Sequence, residues 1–237
     1  MAGPGRAGAV VLLLLAGGAA AVSQYRCESI EFVQHVVSDR ADGAAETYAN
    51  DLDGDGDIDM MSAASKNNEV AWYENDGLQS FTERMINDGA KGAYGVFSWD
   101  VDGDGDYDVL SASYKDDTVS WYENDGSENF ETHKITKAAD YTHSVVAWDI
   151  DGDADVDVLS AWQDEDIVAW YENDGSQDFD EHIITNDADF VYQALPVDLN
   201  GDGFIDIISP DQRPVAVTIF ERFWGGKTTE NRHRHAW

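Results

Sequence analysis

Four acidic loops recur in this chain, starting at Asp51, Asp100, Asp149 and Asp198, a step of 49 residues each time. They read Asp51-Leu-Asp-Gly-Asp-Gly-Asp-Ile-Asp59, Asp100-Val-Asp-Gly-Asp-Gly-Asp-Tyr-Asp108, Asp149-Ile-Asp-Gly-Asp-Ala-Asp-Val-Asp157 and Asp198-Leu-Asn-Gly-Asp-Gly-Phe-Ile-Asp206. Carboxylates at alternate positions beside glycine form a cage of hard oxygen donors. Such a cage suits Ca2+, which takes about 6–8 oxygens in irregular geometry. In the first loop Asp51, Asp53 and Asp55 offer side chains, Asp57 its main-chain carbonyl, and Asp59 a closing carboxylate. Gly56 supplies the sharp turn. The second loop repeats this with Asp100, Asp102, Asp104 and Asp108 around Gly105. Ala154 stands at the turning position of the third loop, which predicts strain there, and Asn200 replaces a carboxylate in the fourth. The first two loops are therefore expected to bind more tightly than the last two. Crowded carboxylates repel one another unless a cation neutralises them.

The same ligand spacing opens a helical EF-hand loop, but that motif needs glutamate at its twelfth position. Here that position is Ser62, Ser111, Ser160 or Ser209, and the flanks are rich in β-formers.

Other features share the step. Trp-Tyr-Glu-Asn-Asp-Gly recurs at Trp72–Gly77, Trp121–Gly126 and Trp170–Gly175, and Phe32, Phe81, Phe130 and Phe179 are equivalent. A period near 50 with short β segments predicts an all-β propeller of four-stranded antiparallel blades. In the third unit the strands are expected at 144–148, 156–161, 167–171 and 179–184. The third of these is apolar at successive positions and so must be covered on both faces. Asn173-Asp-Gly175 marks a tight turn into the fourth, which suits the wetter outer edge. The last unit shows three strands (193–197, 204–209 and 215–220) and Thr228 where a phenylalanine is due. Residues 30–37 match a lone fourth strand. Together they predict four blades, with the N-terminal strand closing the ring.

The chain of 237 residues bounds one domain. Residues 1–23 carry one positive charge, then an apolar, small-residue run, the layout of a cleaved secretory signal peptide; an uncleaved N-terminal anchor is the alternative. The propeller is assigned to 24–224, and 225–237 to a polar tail in which His233 and His235 are too few to define a metal site. Formal charge is −34, with 48 acidic and 14 basic residues. That field argues against nucleic acid and anionic membrane surfaces as partners. Cys27 is the only cysteine, open to an intermolecular disulfide or to burial as a free thiol.

These units resemble the FG-GAP or VCBS-type repeats of calcium-binding β-propellers, related to the integrin α-subunit propeller. The likeness runs from about residue 30 to 224. By that resemblance the cation ligands are Asp51, Asp53, Asp55, Asp57 and Asp59; Asp100, Asp102, Asp104, Asp106 and Asp108; Asp149, Asp151, Asp153, Asp155 and Asp157; and Asp198, Asn200, Asp202, Phe204 and Asp206, the seventh position acting through its main chain. The sequence departs where the family often has Gly-Ala-Pro after the cage: Ser62-Ala-Ala64 stands there, with equivalents in each unit. The resemblance implies an extracellular adhesion or recognition module with a protein or carbohydrate ligand.

Residues that recur in every unit serve the unit, so Trp72, Trp121, Trp170, Glu74, Glu123 and Glu172 read as structural. Departures from the repeat are better binding candidates. Tyr94, His143 and Tyr192 share one position at the entry to the first strand, where the first unit has Ala45, and could line one mouth of the ring. His35, His133, His182 and Arg84 share another and read as solvated side chains. No nucleophile elbow or Walker loop occurs. The expectation is a secreted, calcium-stabilised binding or adhesion module without catalysis; a polysaccharide-acting lyase or hydrolase, or a structural assembly subunit, are the alternatives.

Overall fold

In the computed structural model, residues 33–211 and 216–222 are described. The expected signal segment at 1–23, Cys27, residues 30–32, Val215 and the tail with His233 and His235 lie outside them. Fifteen strands form among the described residues. They are β1 (Ala44–Asn50), β2 (Asp59–Ala64), β3 (Glu69–Asn75), β4 (Phe81–Asn87), β5 (Ala93–Trp99), β6 (Asp108–Ser113), β7 (Thr118–Asn124), β8 (Phe130–Thr136), β9 (Thr142–Trp148), β10 (Asp157–Trp162), β11 (Ile167–Asn173), β12 (Phe179–Thr185), β13 (Leu195–Val197), β14 (Asp206–Asp211) and β15 (Ala216–Phe220). Consecutive strands pair antiparallel into three sheets of four and a last sheet of three. The architecture is all-β.

Each expected strand of the first three units is present, within a residue or two at its ends. The second strand proves the most deeply packed, since β6 and β10 are buried at every position. The third strands are covered on both faces, and the fourth strands are mainly exposed. Three apolar clusters lie between successive sheets. Met61, Val70 and Trp72 of the first sheet meet Val96, Val109 and Tyr122 of the second. Leu110 and Trp121 then meet Val145, Val158 and Tyr171, and Leu159 and Val168 meet Val191 and Ile207. One sheet therefore buries both of its faces against its neighbours, which is why its central strands lack polar alternation. The twelfth-position serines hydrogen-bond the buried tyrosine of their own sheet: Ser62 with Tyr73 at 3.1 Å, Ser111 with Tyr122 at 3.0 Å and Ser160 with Tyr171 at 3.5 Å. In the last sheet Phe220 has no hydroxyl, and Ser209 Oγ donates instead to the Gln193 carbonyl.

Two expectations are met only in part. The expected closing strand at 30–37 does not pair in its described part: Val33 to Val37 form no strand, and Val33 and Val36 are 76% and 71% exposed. The fourth sheet keeps three strands among the described residues, so closure of the ring is not shown. Its first strand also shrinks to Leu195–Val197, where Pro196 has no N–H to give a ladder.

Candidate functional site

The cages sit between the first and second strands of each sheet, all at one end. Position 9 of each is fully buried and acts as a staple. Asp59 Oδ2 accepts the Leu52 amide at 3.0 Å, and its Oδ1 accepts the Asn75 amide of β3 at 2.8 Å. Asp108 does the same with Val101 and Asn124, Asp157 with Ile150 and Asn173, and Asp206 with Leu199 and Arg222. The loop is thus tied to the third strand before any cation is considered.

Positions 1, 3 and 5 organise the turn itself. Asp100 accepts from the Gly103 and Gly105 amides, Asp102 from Asp104, and Asp104 from Asp106. Asp149, Asp151 and Asp153 repeat the pattern in the third loop, as do Asp198, Asn200 and Asp202 in the fourth. In the first, Asp51 Oδ2 takes the Gly56 amide, Asp53 the Asp55 amide and Asp55 the Asp57 amide. Ala154 carries φ 82°, the left-handed region its glycine counterparts occupy, so the expected strain is present.

Position 7 turns its side chain away from the cage. A Cβ on Gly77, Gly126 or Gly175 would overlap the Asp57, Asp106 or Asp155 carboxylate respectively. Main-chain donation is therefore what remains to these residues, and Phe204 can occupy the equivalent place. Its ring lies under the Arg222 guanidinium, 5.7 Å from the centroid.

Three carboxylates converge within 4.8 Å in three of the loops: Asp51, Asp53 and Asp59; Asp100, Asp102 and Asp104; Asp149, Asp151 and Asp157. Asp51 Oδ1 is buried without a hydrogen-bond partner. Burial holds the Asp53, Asp102 and Asp151 carboxyls above their ordinary range, and pushes Asp157 up to about 6 and Asp108 up to about 7. An oxygen-only set with an orphaned, desolvated acceptor fits a hard divalent cation. The fourth loop, with Asn200 in the set, brings no three carboxylates together among the described residues. The third matches the first in carboxylate convergence despite Ala154.

Three further groupings bear on function. Arg84, His133 and His182 are not simply solvated: each covers the tryptophan of its sheet and pairs with Glu74, Glu123 or Glu172 at 2.6, 2.7 and 2.6 Å. The glutamates and tryptophans are structural in this sense. On the cage end, a cleft of about 440 Å³ is lined by Trp99, Trp148, Asp149, Asp151 and Arg222, among others. Trp99 and Trp148 stand 5.7 Å apart, and Trp148 is 40% exposed. They were not among the residues singled out from sequence. The signal was available: Asn50, Trp99, Trp148 and Val197 are equivalent positions, with tryptophan in the second and third units alone.

At the opposite end Tyr94, His143 and Tyr192 do come together, with ring centroids 4.4 Å and 5.3 Å from His143. A Cβ on Gly95 would lie 2.7 Å from the His143 carbonyl oxygen, so glycine there lets β5 and β9 approach and seats Tyr94 against His143.

The FG-GAP-like repeat is matched three times, over residues 51–106, 100–160 and 149–209. No curated protein matches the chain. Among solved structures, a lectin of Agrocybe aegerita described as recognising non-reducing terminal N-acetylglucosamine is similar at 20% identity with a TM-score of 0.51. The similarity covers 70% of this chain and 47% of the lectin. An auxiliary nutrient binding protein from Bacteroides ovatus is similar at 12% identity with a TM-score of 0.49, over 73% of this chain and 43% of that one. The chain thus spans less than half the length of either.

Proposed function

The chain belongs to the FG-GAP-like repeat family, and from that premise we propose that it is an exported, calcium-binding propeller module that binds carbohydrate and catalyses no reaction. The carrying observation is the adjacency of the third cage to the Trp99–Trp148 cleft, which Asp149 and Asp151 both line. Indole faces pack on the C–H faces of a sugar ring, and a few carboxylate or guanidinium groups fix its hydroxyls. The Agrocybe aegerita lectin's recognition of a terminal N-acetylglucosamine supports the reading by analogy of fold.

In this scheme Asp149, Asp151 and Asp157 hold the cation, and the cation fixes the cleft wall. Arg222 closes the other wall, donating from Nη1 to the Ile150 carbonyl at 2.7 Å. A glycan array run with calcium and with EGTA tests this. Binding should need calcium and disappear in Trp148→Ala, while the calcium-induced rise in melting temperature persists in that variant. An array with no bound glycan at saturating calcium rejects the carbohydrate reading.

A further inference from the structure

The mouth opposite the cages is built from departures from the repeat. Tyr94 and His143 start β5 and β9, Tyr114 follows β6, and Tyr141, Phe190 and Tyr192 lie in the turns that enter the last two inner strands. The first unit has Gly43, Ala45 and Ser65 at the equivalent positions. His143 is ringed by four tyrosines, with centroids at 4.4 Å (Tyr94), 5.0 Å (Tyr141), 5.3 Å (Tyr192) and 5.7 Å (Tyr114). Its Nδ1 is buried, and the Tyr141 backbone is the polar group beside the ring.

The backbone adds an independent sign. Tyr141 and Phe190 have φ of 54° and 58°, where the earlier units use Gly43 and Gly92. Their amides are held there by Asp117 Oδ1 at 3.3 Å and Asp166 Oδ1 at 2.9 Å. A bulky side chain in the left-handed region is strained, and such outliers cluster at ligand sites. Here two strained residues each deliver a ring to one surface. Tyr94, Tyr192 and Phe190 remain 37%, 39% and 43% exposed, so ring surface is available to a ligand.

The rim selects the ligand's charge. The Gln163 amide donates to the Tyr141 carbonyl at 3.3 Å, which sets Asp164 beside the cluster, and its negative charge reaches both Asp140 and His143. Lys115 already rests its ammonium 5.3 Å from the Tyr114 ring centroid, which shows a cation seated on a ring of this cluster. Tyrosine faces beside carboxylates attract organic cations and give a neutral sugar no electrostatic gain.

We propose that this aromatic mouth is a binding site for an alkylammonium group, distinct from the cages and the tryptophan cleft. The ammonium rests against the exposed faces of Tyr94 and Tyr192, with Asp164 as its counter-charge. Burial keeps His143 below the ordinary imidazole range, so the group under the rings stays neutral and does not repel the ligand.

The test uses the full chain at saturating calcium, titrated with choline, with N-acetyl-lysine methylamide and with the neutral isostere 3,3-dimethylbutanol, read by chemical shifts of the His143 ring and by calorimetry. Binding of at least one cation with a dissociation constant on the order of 1 mM or tighter, and none of the isostere, is expected. Choline alone binding identifies a free quaternary ammonium as the source, and the lysine derivative alone identifies a protein side chain. Asp164→Asn, an exposed position, should weaken binding about three- to tenfold, and Tyr192→Ala should abolish it at an unchanged calcium-dependent melt. Equal binding of the isostere, or a shift at His143 caused by N-acetylglucosamine and not by either cation, overturns the proposal. Neither result depends on the glycan array, so the two readings fail separately.

Discussion

The side-chain amide of Asn124 donates to the carbonyl of Leu52, 3.1 Å away in the cage of the preceding sheet. The same amide reaches the Tyr107 carbonyl of its own cage. Arg222 makes the corresponding link two units later, from its guanidinium to Ile150. The first and second cages, and the third and fourth, are therefore stitched to each other as well as to their own third strands.

Replacing Asn124 with alanine should cost about 2–3 kcal/mol, because the Leu52 carbonyl is left buried without a donor. Asn75→Ala should cost roughly 1 kcal/mol, since its amide reaches only the more exposed Ile58 carbonyl. Urea denaturation of the two variants side by side measures the difference. Equal losses would remove the inter-cage link as a contributor.

Gly126→Ala meets two obstacles at once: a φ of 69° and the Asp106 carboxylate. The backbone part costs about 1–2 kcal/mol for a left-handed alanine. Adding Asp106→Ala should restore the remainder, and a double-mutant cycle isolates that coupling. Because Asp106 offers the cage only its main chain, Asp106→Ala alone should leave calcium affinity within about twofold by calorimetry, since no ligating side chain is lost.

Ala154→Gly should stabilise the protein. Release of left-handed strain at φ 82° gains about 1–2 kcal/mol, against about 0.5–1 kcal/mol of added chain entropy. Thermal melts should show the gain with and without calcium, and the third loop should bind calcium more tightly.

The metal-free protein should lose stability as pH rises. Burial places the Asp157 and Asp108 carboxyls at about 6 and about 7 in the folded chain, above the ordinary 3.8. Raised folded values mean the folded state holds its protons more tightly, so stability present below about pH 4 fades as pH climbs through 6 and 7. A divalent cation replaces those protons at neutral pH. Each loop filled to about 100 times its dissociation constant adds about 2.7 kcal/mol. Melts in EGTA and in calcium at pH 5 and pH 7.5 should show the larger calcium increment at the higher pH. The same increment at both would count against cation binding at Asp108 and Asp157.

The sheets were legible because the 49-residue step repeats strand, cage, strand, strand, turn and strand together, so any one unit could check the others. The closing strand was less so, since 30–37 resembles a fourth strand by Phe32, His35 and its pattern of apolar residues, with no cage or turn beside it to fix its partner. Tyr94, His143 and Tyr192 could be read as one group because they share a repeat position. Tyr114, Tyr141 and Phe190 were not read with them: the turn repeats, with Asn68, Asp117 and Asp166 holding the Gly92, Tyr141 and Phe190 amides, but its left-handed backbone shows only in the structure. Trp99 and Trp148 were hidden by company, since other tryptophans in the same units are plainly structural.

Strands β5 and β9 carry Tyr94 and His143 near their starts and lead into the cages at Asp100 and Asp149. That is a separation of about 20 Å. Two ligands of ordinary size fit at opposite ends of these strands without touching. If both proposals hold, a single copy of the chain would act as a coupler, one end answering to divalent metal and the other to a ligand's positive charge.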